Sequence, residues 1–170
     1  MNPLRWSFRG QFLLGFLGCA GLLGYALFVQ FVQKVDPCPF CIFQRLAFVA
    51  LGLVFLLGAV HGPRGAGGRG IYGLLAFLAA AAGIGIAGRH VWVQVFPPEM
   101  PSCGPGWDYL VETNSWLGVV RTVLMAKGDC SVINWSFLGL SMPMWSLLWF
   151  VLLAFWALQA GLRKRRSRLF

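Results

Sequence analysis

The sequence has few charged side chains, and this scarcity argues against a soluble globular protein. Charged residues make up 11% of the chain, whereas a typical soluble domain contains about a quarter. Hydrophobic residues make up 58%, and there are 8 tryptophans and 15 phenylalanines. This composition predicts a small integral membrane protein, with residues 1–170 forming a single domain in the lipid bilayer.

Acidic side chains are scarcer still, and their absence from three segments predicts the orientation in the membrane. The segments 1–10, 61–70 and 163–170 contain two, two and five Lys or Arg residues and no Asp or Glu. Because cytoplasmic loops are enriched in Lys and Arg, we predict that these segments and both termini are cytoplasmic. The basic residues lie beside apolar segments rather than on a folded soluble face, so we expect no nucleic-acid partner.

Four segments are long and apolar enough to cross a bilayer, which requires about 17–25 mostly apolar residues. The predicted spans are 11–32, 42–60, 71–88 and 143–162, which leave segments 33–41 and 89–142 on the outer side. The expected fold is therefore an all-α bundle of four transmembrane helices.

The outer segment 89–142 is long, and loops of this length usually carry function. Prolines and glycines around Cys103 exclude regular structure there. The apolar stretch WLGVVRTVLMAKG follows and ends at Gly128, a favourable residue just beyond a helix C-terminus. Because this stretch is too short to span the membrane, we predict a short interfacial helix, with Cys130 immediately after it.

Four of the five cysteines fall in these outer segments, and they are Cys38, Cys41, Cys103 and Cys130. Disulfides form and persist in an oxidising compartment such as the bacterial periplasm. Three pairings of four cysteines are possible, and Cys38–Cys41 with Cys103–Cys130 is the most economical. Cys19 lies in the first span, and we interpret it as a small buried apolar residue.

The stretch VDPCPFCIFQR places a Cys-X-X-Cys pair where the second span begins. If the helix starts near Pro39, Cys38 lies near the N-cap, and Cys41 and Arg45 share its face. A helix N-terminus, a nearby cation and the Cys-X-X-Cys spacing each favour the thiolate form of cysteine. A charge within a span indicates a functional site, although Arg45 is also compatible with a side chain that extends its charge to the interface.

Two exchangeable disulfides, one at the membrane face and one on a soluble loop, predict an electron relay by thiol–disulfide exchange. The sequence has no heme-attachment motif, nucleotide-binding fingerprint or iron–sulfur cysteine cluster. A lipid-soluble quinone that approaches Cys41 and Arg45 from the bilayer is therefore the predicted electron acceptor.

Two alternatives assign the outer cysteines other roles. In the first, all four bind zinc, although Cys103 and Cys130 are 27 positions apart and an oxidising compartment opposes lasting thiolates. In the second, the disulfides only stabilise the loops. The relay explains the spacing best, and we expect no resident metal.

These motifs together resemble the DsbB family of disulfide bond formation proteins, over nearly the whole chain. The resemblance rests on CPFCIFQR, GRHVWVQ ahead of CGPG, KGDC, and WSFLGLSMPMW before the last span. It implies a quinone-dependent thiol oxidase of the bacterial inner membrane. Such an enzyme reoxidises the periplasmic thiol oxidase DsbA and so supports disulfide formation in exported proteins.

The resemblance also implies a role for each outer cysteine. Cys103 would form the mixed disulfide with reduced DsbA, and Cys130 would be its partner. Cys130 would then exchange with Cys38, which releases Cys41 as the thiolate that donates electrons to the quinone.

Two further residues match the family's quinone site. Arg45 matches an arginine that supports the quinone and the thiolate, and His90 matches a histidine near the quinone. An ordinary residue at a helix end remains the alternative interpretation of His90. Neither residue distinguishes ubiquinone from menaquinone.

Overall fold

The structure, a computed structural model, describes residues 7–34, 37–96, 112–113, 115, 117–118 and 136–163. In chain order its elements are α1 (Phe8–Val32), α2 (Pro39–His61), α3 (Ala66–Val95), β1 (Ser136–Phe137), β2 (Leu140–Ser141) and α4 (Met142–Leu162). Each of these four helices is long and apolar enough to cross a membrane. The predicted four-helix membrane fold is confirmed.

The four helices pack in a closed order, in which each contacts the next along the chain and α4 returns to α1. The most extensive contact joins α3 and α4. Their backbones meet at Gly73 and Gly161, where a Cβ atom on Gly73 would lie 2.8 Å from the Gly161 Cα atom. Small residues permit such close approach between membrane helices, where lipid supplies no hydrophobic driving force.

Aromatic side chains fill much of the bundle interior. Phe12, Phe55 and Phe150 are fully buried, and the Phe150 ring stacks on Phe48 with centroids 3.9 Å apart. Cys19 is also buried, at 1% exposure, which confirms its interpretation as a small core residue. The interior is therefore tightly packed beneath the polar residues described below.

The helices extend beyond the predicted spans, and the difference is largest for α3. This helix has 30 residues, or about 45 Å at 1.5 Å per residue, against a hydrocarbon core of about 30 Å. Helix α3 continues to Val95, so the first residues of the predicted outer segment 89–142 are helical. It ends just before Pro97, which disfavours helical geometry in the preceding residue. His90 consequently lies within a helix.

A two-residue hairpin, which the sequence analysis did not predict, precedes α4. Its strands pair Ser136 with Ser141 and Phe137 with Leu140. The intervening residues 138 and 139 have positive φ values of 52° and 79°, as the type I′ turn of a tight hairpin requires. The predicted interfacial helix falls almost entirely outside the described residues.

Candidate active site

Cys38 and Cys41 form a close dithiol at the start of α2. Cys38 is the N-cap residue, as its position before Pro39 predicts, and its sulfur accepts a hydrogen bond from the Cys41 backbone N–H at 3.4 Å. The two sulfur atoms lie 3.0 Å apart, about 1 Å beyond the length of a disulfide bond. Proline in the first turn is already restricted to helical φ, so it helps to fix this arrangement.

His90 reaches the dithiol from α3. Its side chain is 2% exposed, and its Nε2 atom lies 3.8 Å from the Cys38 sulfur. Its Nδ1 atom shares a hydrogen bond of 3.0 Å with the amide of Gln44, and its ring stacks on Phe40 at 5.3 Å. His90 is therefore buried within α3 beside a cysteine, and its role at a quinone site stays a prediction.

Arg45 is held by contacts with α1. Its guanidinium donates one hydrogen bond to the side-chain oxygen of Gln30 and another, at 3.1 Å, to the backbone carbonyl of Ala26. A cation within an apolar span is costly unless such acceptors are present. These contacts fix the guanidinium inside the bundle, one helical turn after Cys41.

A cavity of about 340 Å³ opens between α1, α2 and α4, beside Cys41 and Arg45. Most of its lining is apolar or aromatic, and it consists of Leu22, Leu23, Tyr25, Ala26, Cys41, Gln44, Arg45, Phe48, Phe137, Met142, Trp145, Ser146 and Trp149. The volume falls within the range of about 300–1,000 Å³ that is typical of small-molecule sites.

The two cysteines differ in what they face. Cys41 lines the cavity, whereas Cys38 does not and instead approaches His90 on α3. The helical spacing predicts Cys38, Cys41 and Arg45 on one face, but the packing of α1 and α3 divides that face. One cysteine therefore borders a ligand-sized space, and the sulfur of the other lies beside a buried imidazole.

The hairpin closes one side of the cavity. Phe137 contributes to the lining, and its backbone carbonyl accepts a hydrogen bond from the indole N–H of Trp145 at 3.1 Å. Ser141 is the N-cap residue of α4, but its hydroxyl donates to the Gln94 side chain at 2.7 Å instead of capping the helix. This bond ties the end of α3 to the start of α4.

Three glutamines that support the site escaped the sequence analysis, namely Gln30, Gln44 and Gln94. Each is an amide within a largely apolar helix, which is a signal that could have singled them out. Of the other predicted site residues, Cys103 and Cys130 lie outside the described residues.

The bundle and its site define a class of protein, a multi-pass membrane protein with a helix-capping dithiol beside an apolar cavity. The family model for disulfide bond formation protein DsbB matches residues 8–160. A disulfide bond formation protein B from Xanthomonas euvesicatoria pv. vesicatoria (strain 85-10) is 63% identical over 168 residues, which cover 98% of each chain. One from Xylella fastidiosa (strain 9a5c) is 54% identical over 169 residues, which cover 99% of this chain and 98% of the relative. The chain belongs to the DsbB family, as its motifs predict.

Proposed function

We propose that the protein is a membrane thiol oxidase that carries electrons from a periplasmic DsbA-type dithiol to a membrane quinone. Family membership supports disulfide oxidoreductase activity and a role in disulfide bond formation. The observation that carries the finer proposal is the position of Cys41, which lines the cavity with Arg45 and whose sulfur lies 3.0 Å from that of Cys38.

The cavity suits a quinone in size and in chemistry. Its apolar and aromatic lining, including Trp145 and Trp149, matches a flat ring and a hydrocarbon tail. Arg45 supplies a cationic hydrogen-bond donor at the same wall. A bound quinone, ubiquinone or menaquinone, supplies the two-electron acceptor. Cys41 and Arg45 are the residues that would hold its ring, with His90 behind the dithiol.

The proposed dithiol chemistry follows from the different surroundings of the two cysteines, with Cys41 at the cavity and Cys38 beside His90. In the proposed cycle a thiolate at Cys130 attacks the Cys38 sulfur of a Cys38–Cys41 disulfide. The Cys130–Cys38 bond forms, the Cys38–Cys41 bond breaks, and Cys41 leaves as the thiolate with the electron pair. The helix N-terminus and the Arg45 guanidinium stabilise that thiolate on the cavity side.

The preceding exchange uses the second cysteine pair. Cys103 and Cys130 lie outside the described residues, so their proposed disulfide and roles rest on the resemblance to the family. The thiolate of the soluble partner attacks Cys103, and Cys130 is released to attack Cys38. Two electrons enter for each partner disulfide that forms.

The proposed location is the bacterial inner membrane, with the dithiol on the periplasmic side. The support is the uneven distribution of cations, because the segments 1–10, 61–70 and 163–170 carry nine of the 14 Lys and Arg residues and no acid. Both termini are then cytoplasmic.

The test is anaerobic mixing of the purified full chain with a quinone and a reduced DsbA-type partner, followed by quinone absorbance. The proposal predicts that the protein accelerates quinone reduction and that the partner dithiol is oxidised in equal amount. Quinone absorbance that stays at the rate of a protein-free control would contradict it.

A further inference from the structure

The ligand atoms of Cys38, Cys41 and His90 all lie within 4.8 Å of one another. Tetrahedral zinc with Zn–S bonds of about 2.3 Å and Zn–N bonds of about 2.0–2.1 Å separates its ligand atoms by about 3.5–3.8 Å. The Cys38 sulfur and His90 Nε2 lie 3.8 Å apart, close to that spacing. The two sulfurs, at 3.0 Å, need to separate by less than about 1 Å. We propose that the reduced dithiol and His90 together bind one Zn²⁺ ion.

Hydrogen bonds around the ligand atoms suit this role. The Cys41 backbone N–H donates to the Cys38 sulfur at 3.4 Å, and such a donor stabilises a thiolate ligand. The Gln44 amide nitrogen lies 3.0 Å from Nδ1 of His90 and donates to it in this orientation. The amide oxygen and nitrogen exchange places by a half-turn. With its oxygen toward Nδ1–H, Gln44 leaves the lone pair of Nε2 for the ion, as metal-bound histidines require.

The charges also balance. Two thiolates and a neutral imidazole compensate a divalent cation, so the filled site carries no formal charge in a partly buried position. The nearest described cation on α2 is Arg45, whose guanidinium is turned toward Gln30 and Ala26 on α1. Binding releases the thiol protons, and the disulfide form has no thiolate to offer.

Zinc would bind the same two sulfurs that the proposed function uses, but it would bind them as metal ligands and not oxidise them. A zinc site of all four outer cysteines would need Cys103 and Cys130, whereas this site takes only Cys38, Cys41 and a histidine from another helix. Three protein ligands leave a fourth position on the ion. If the proposed function holds, zinc keeps the dithiol reduced, because Cys41 cannot donate electrons while it is a ligand.

The test is a cadmium titration of the reduced full chain in lipid nanodiscs, with Cys19→Ala, Cys103→Ser and Cys130→Ser removing the other three thiols. Cadmium bound to thiolates absorbs in the ultraviolet, and zinc competition reports the affinity for zinc. We expect one cadmium per chain, and none after oxidation to the disulfide. His90→Ala should weaken binding by at least about tenfold, as loss of a ligand or its support does.

The other histidine provides a matched control. His61 lies at the opposite end of α2, where Nδ1 shares a 2.9 Å hydrogen bond with the Tyr72 hydroxyl. His61→Ala should leave the titration unchanged. His90→Cys keeps a metal ligand at the same place and should retain tight binding, which separates lost ligation from lost folding.

Several outcomes would overturn the inference. They are the absence of cadmium absorbance in the reduced parent, equal binding by the oxidised parent, equal affinity in His90→Ala, and loss of binding in His90→Cys. The titration contains neither quinone nor thiol partner, so its failure leaves the proposed oxidase untouched. Conversely, a chain that binds cadmium but never reduces quinone fails only the proposed function.

Discussion

The two ends of α2 use the same residue types for different purposes. At its start, which we call the dithiol end, Arg45 bonds to a carbonyl of α1 and His90 is buried beside a sulfur. At its finish, which we call the capped end, Arg9 of α1 donates to the carbonyl of Ala59 at 2.9 Å, and His61 is exposed.

The capped end supplies donors to three of the last four carbonyls of α2, those of Gly58, Ala59 and Val60. Arg9 supplies donors to the last carbonyls of α2, and Gly62 adopts the left-handed conformation at φ 55° with its N–H bonded to the Gly58 carbonyl. These are standard ways to end a helix. The dithiol end places its polar groups around a cavity instead. The comparison shows that arginine and histidine lie at a capped helix terminus at one end of α2 and beside a dithiol and a cavity at the other.

The largest expected effect is on the rate of quinone reduction, which should depend on Cys41 and not on Cys19. Cys41→Ser removes the thiolate that faces the cavity, so quinone reduction should fall by at least about a thousandfold, as loss of a nucleophile does. Cys19→Ala changes a buried residue of α1 that does not line the cavity and should leave the rate unchanged. Anaerobic quinone absorbance measures both. Equal rates for Cys41→Ser and the parent would refute the role of Cys41 as the electron donor.

The next prediction compares the effects of replacing Arg45 and Arg9 on quinone kinetics. Arg45→Met removes the cation at the cavity wall, where a hydrogen bond from a charged group contributes about 1.5–3 kcal/mol. We expect kcat/KM for the quinone to fall roughly 10- to 100-fold. Arg9→Met should change only thermal stability. If both variants alter the quinone kinetics alike, the assignment of distinct roles fails.

A stability effect should appear at the capped end alone. Gly62→Ala forces a side chain into a left-handed position, which costs about 1–2 kcal/mol, and its Cβ would lie 2.7 Å from the Arg9 Cδ. The melting temperature in detergent should drop while quinone reduction at low temperature persists. Gly65→Ala is the control, because φ there is −79° and nothing lies within 4 Å of the added carbon. Equal melting temperatures would contradict the capping role.

The smallest effect concerns the support of the cavity. Ser141→Ala removes the 2.7 Å hydrogen bond that the buried hydroxyl donates to the half-buried Gln94 side chain, at a cost of about 0.5–1.5 kcal/mol. We expect a modest loss of thermal stability and a raised KM for the quinone with little change in kcat. Ser146→Ala, which alters only the cavity lining, tests whether the KM effect comes from lost volume alone. A lowered kcat with normal KM would contradict the view that the Ser141–Gln94 hydrogen bond supports quinone binding.

Much of this arrangement is predictable from local sequence, and the rest depends on packing. Apolar length alone identifies the four helices, and Cys38 before Pro39 identifies the N-cap, since both signals lie within one segment. His90 is buried because α3 continues beyond its apolar segment and packs there against α2. No local pattern encodes that approach, nor the turn of Arg45 toward α1.

The hairpin shows a second limit. Its strands have two residues each, too few for an alternating pattern to be recognised, although Gly139 is a suitable turn residue. The hairpin carries Phe137 to the cavity and so matters to the site. The division between Cys38 and Cys41 likewise emerges only when α1, α3 and α4 are in place around α2.

The central claim is that the Cys38–Cys41 dithiol itself delivers electrons to a quinone. A single-turnover experiment tests it directly, with the reduced Cys103→Ser, Cys130→Ser chain mixed anaerobically with excess quinone and no partner protein. The account predicts that one quinone is reduced per chain as the Cys38–Cys41 disulfide forms. Quinone absorbance that stays unchanged, with both thiols still reactive afterwards, would contradict it.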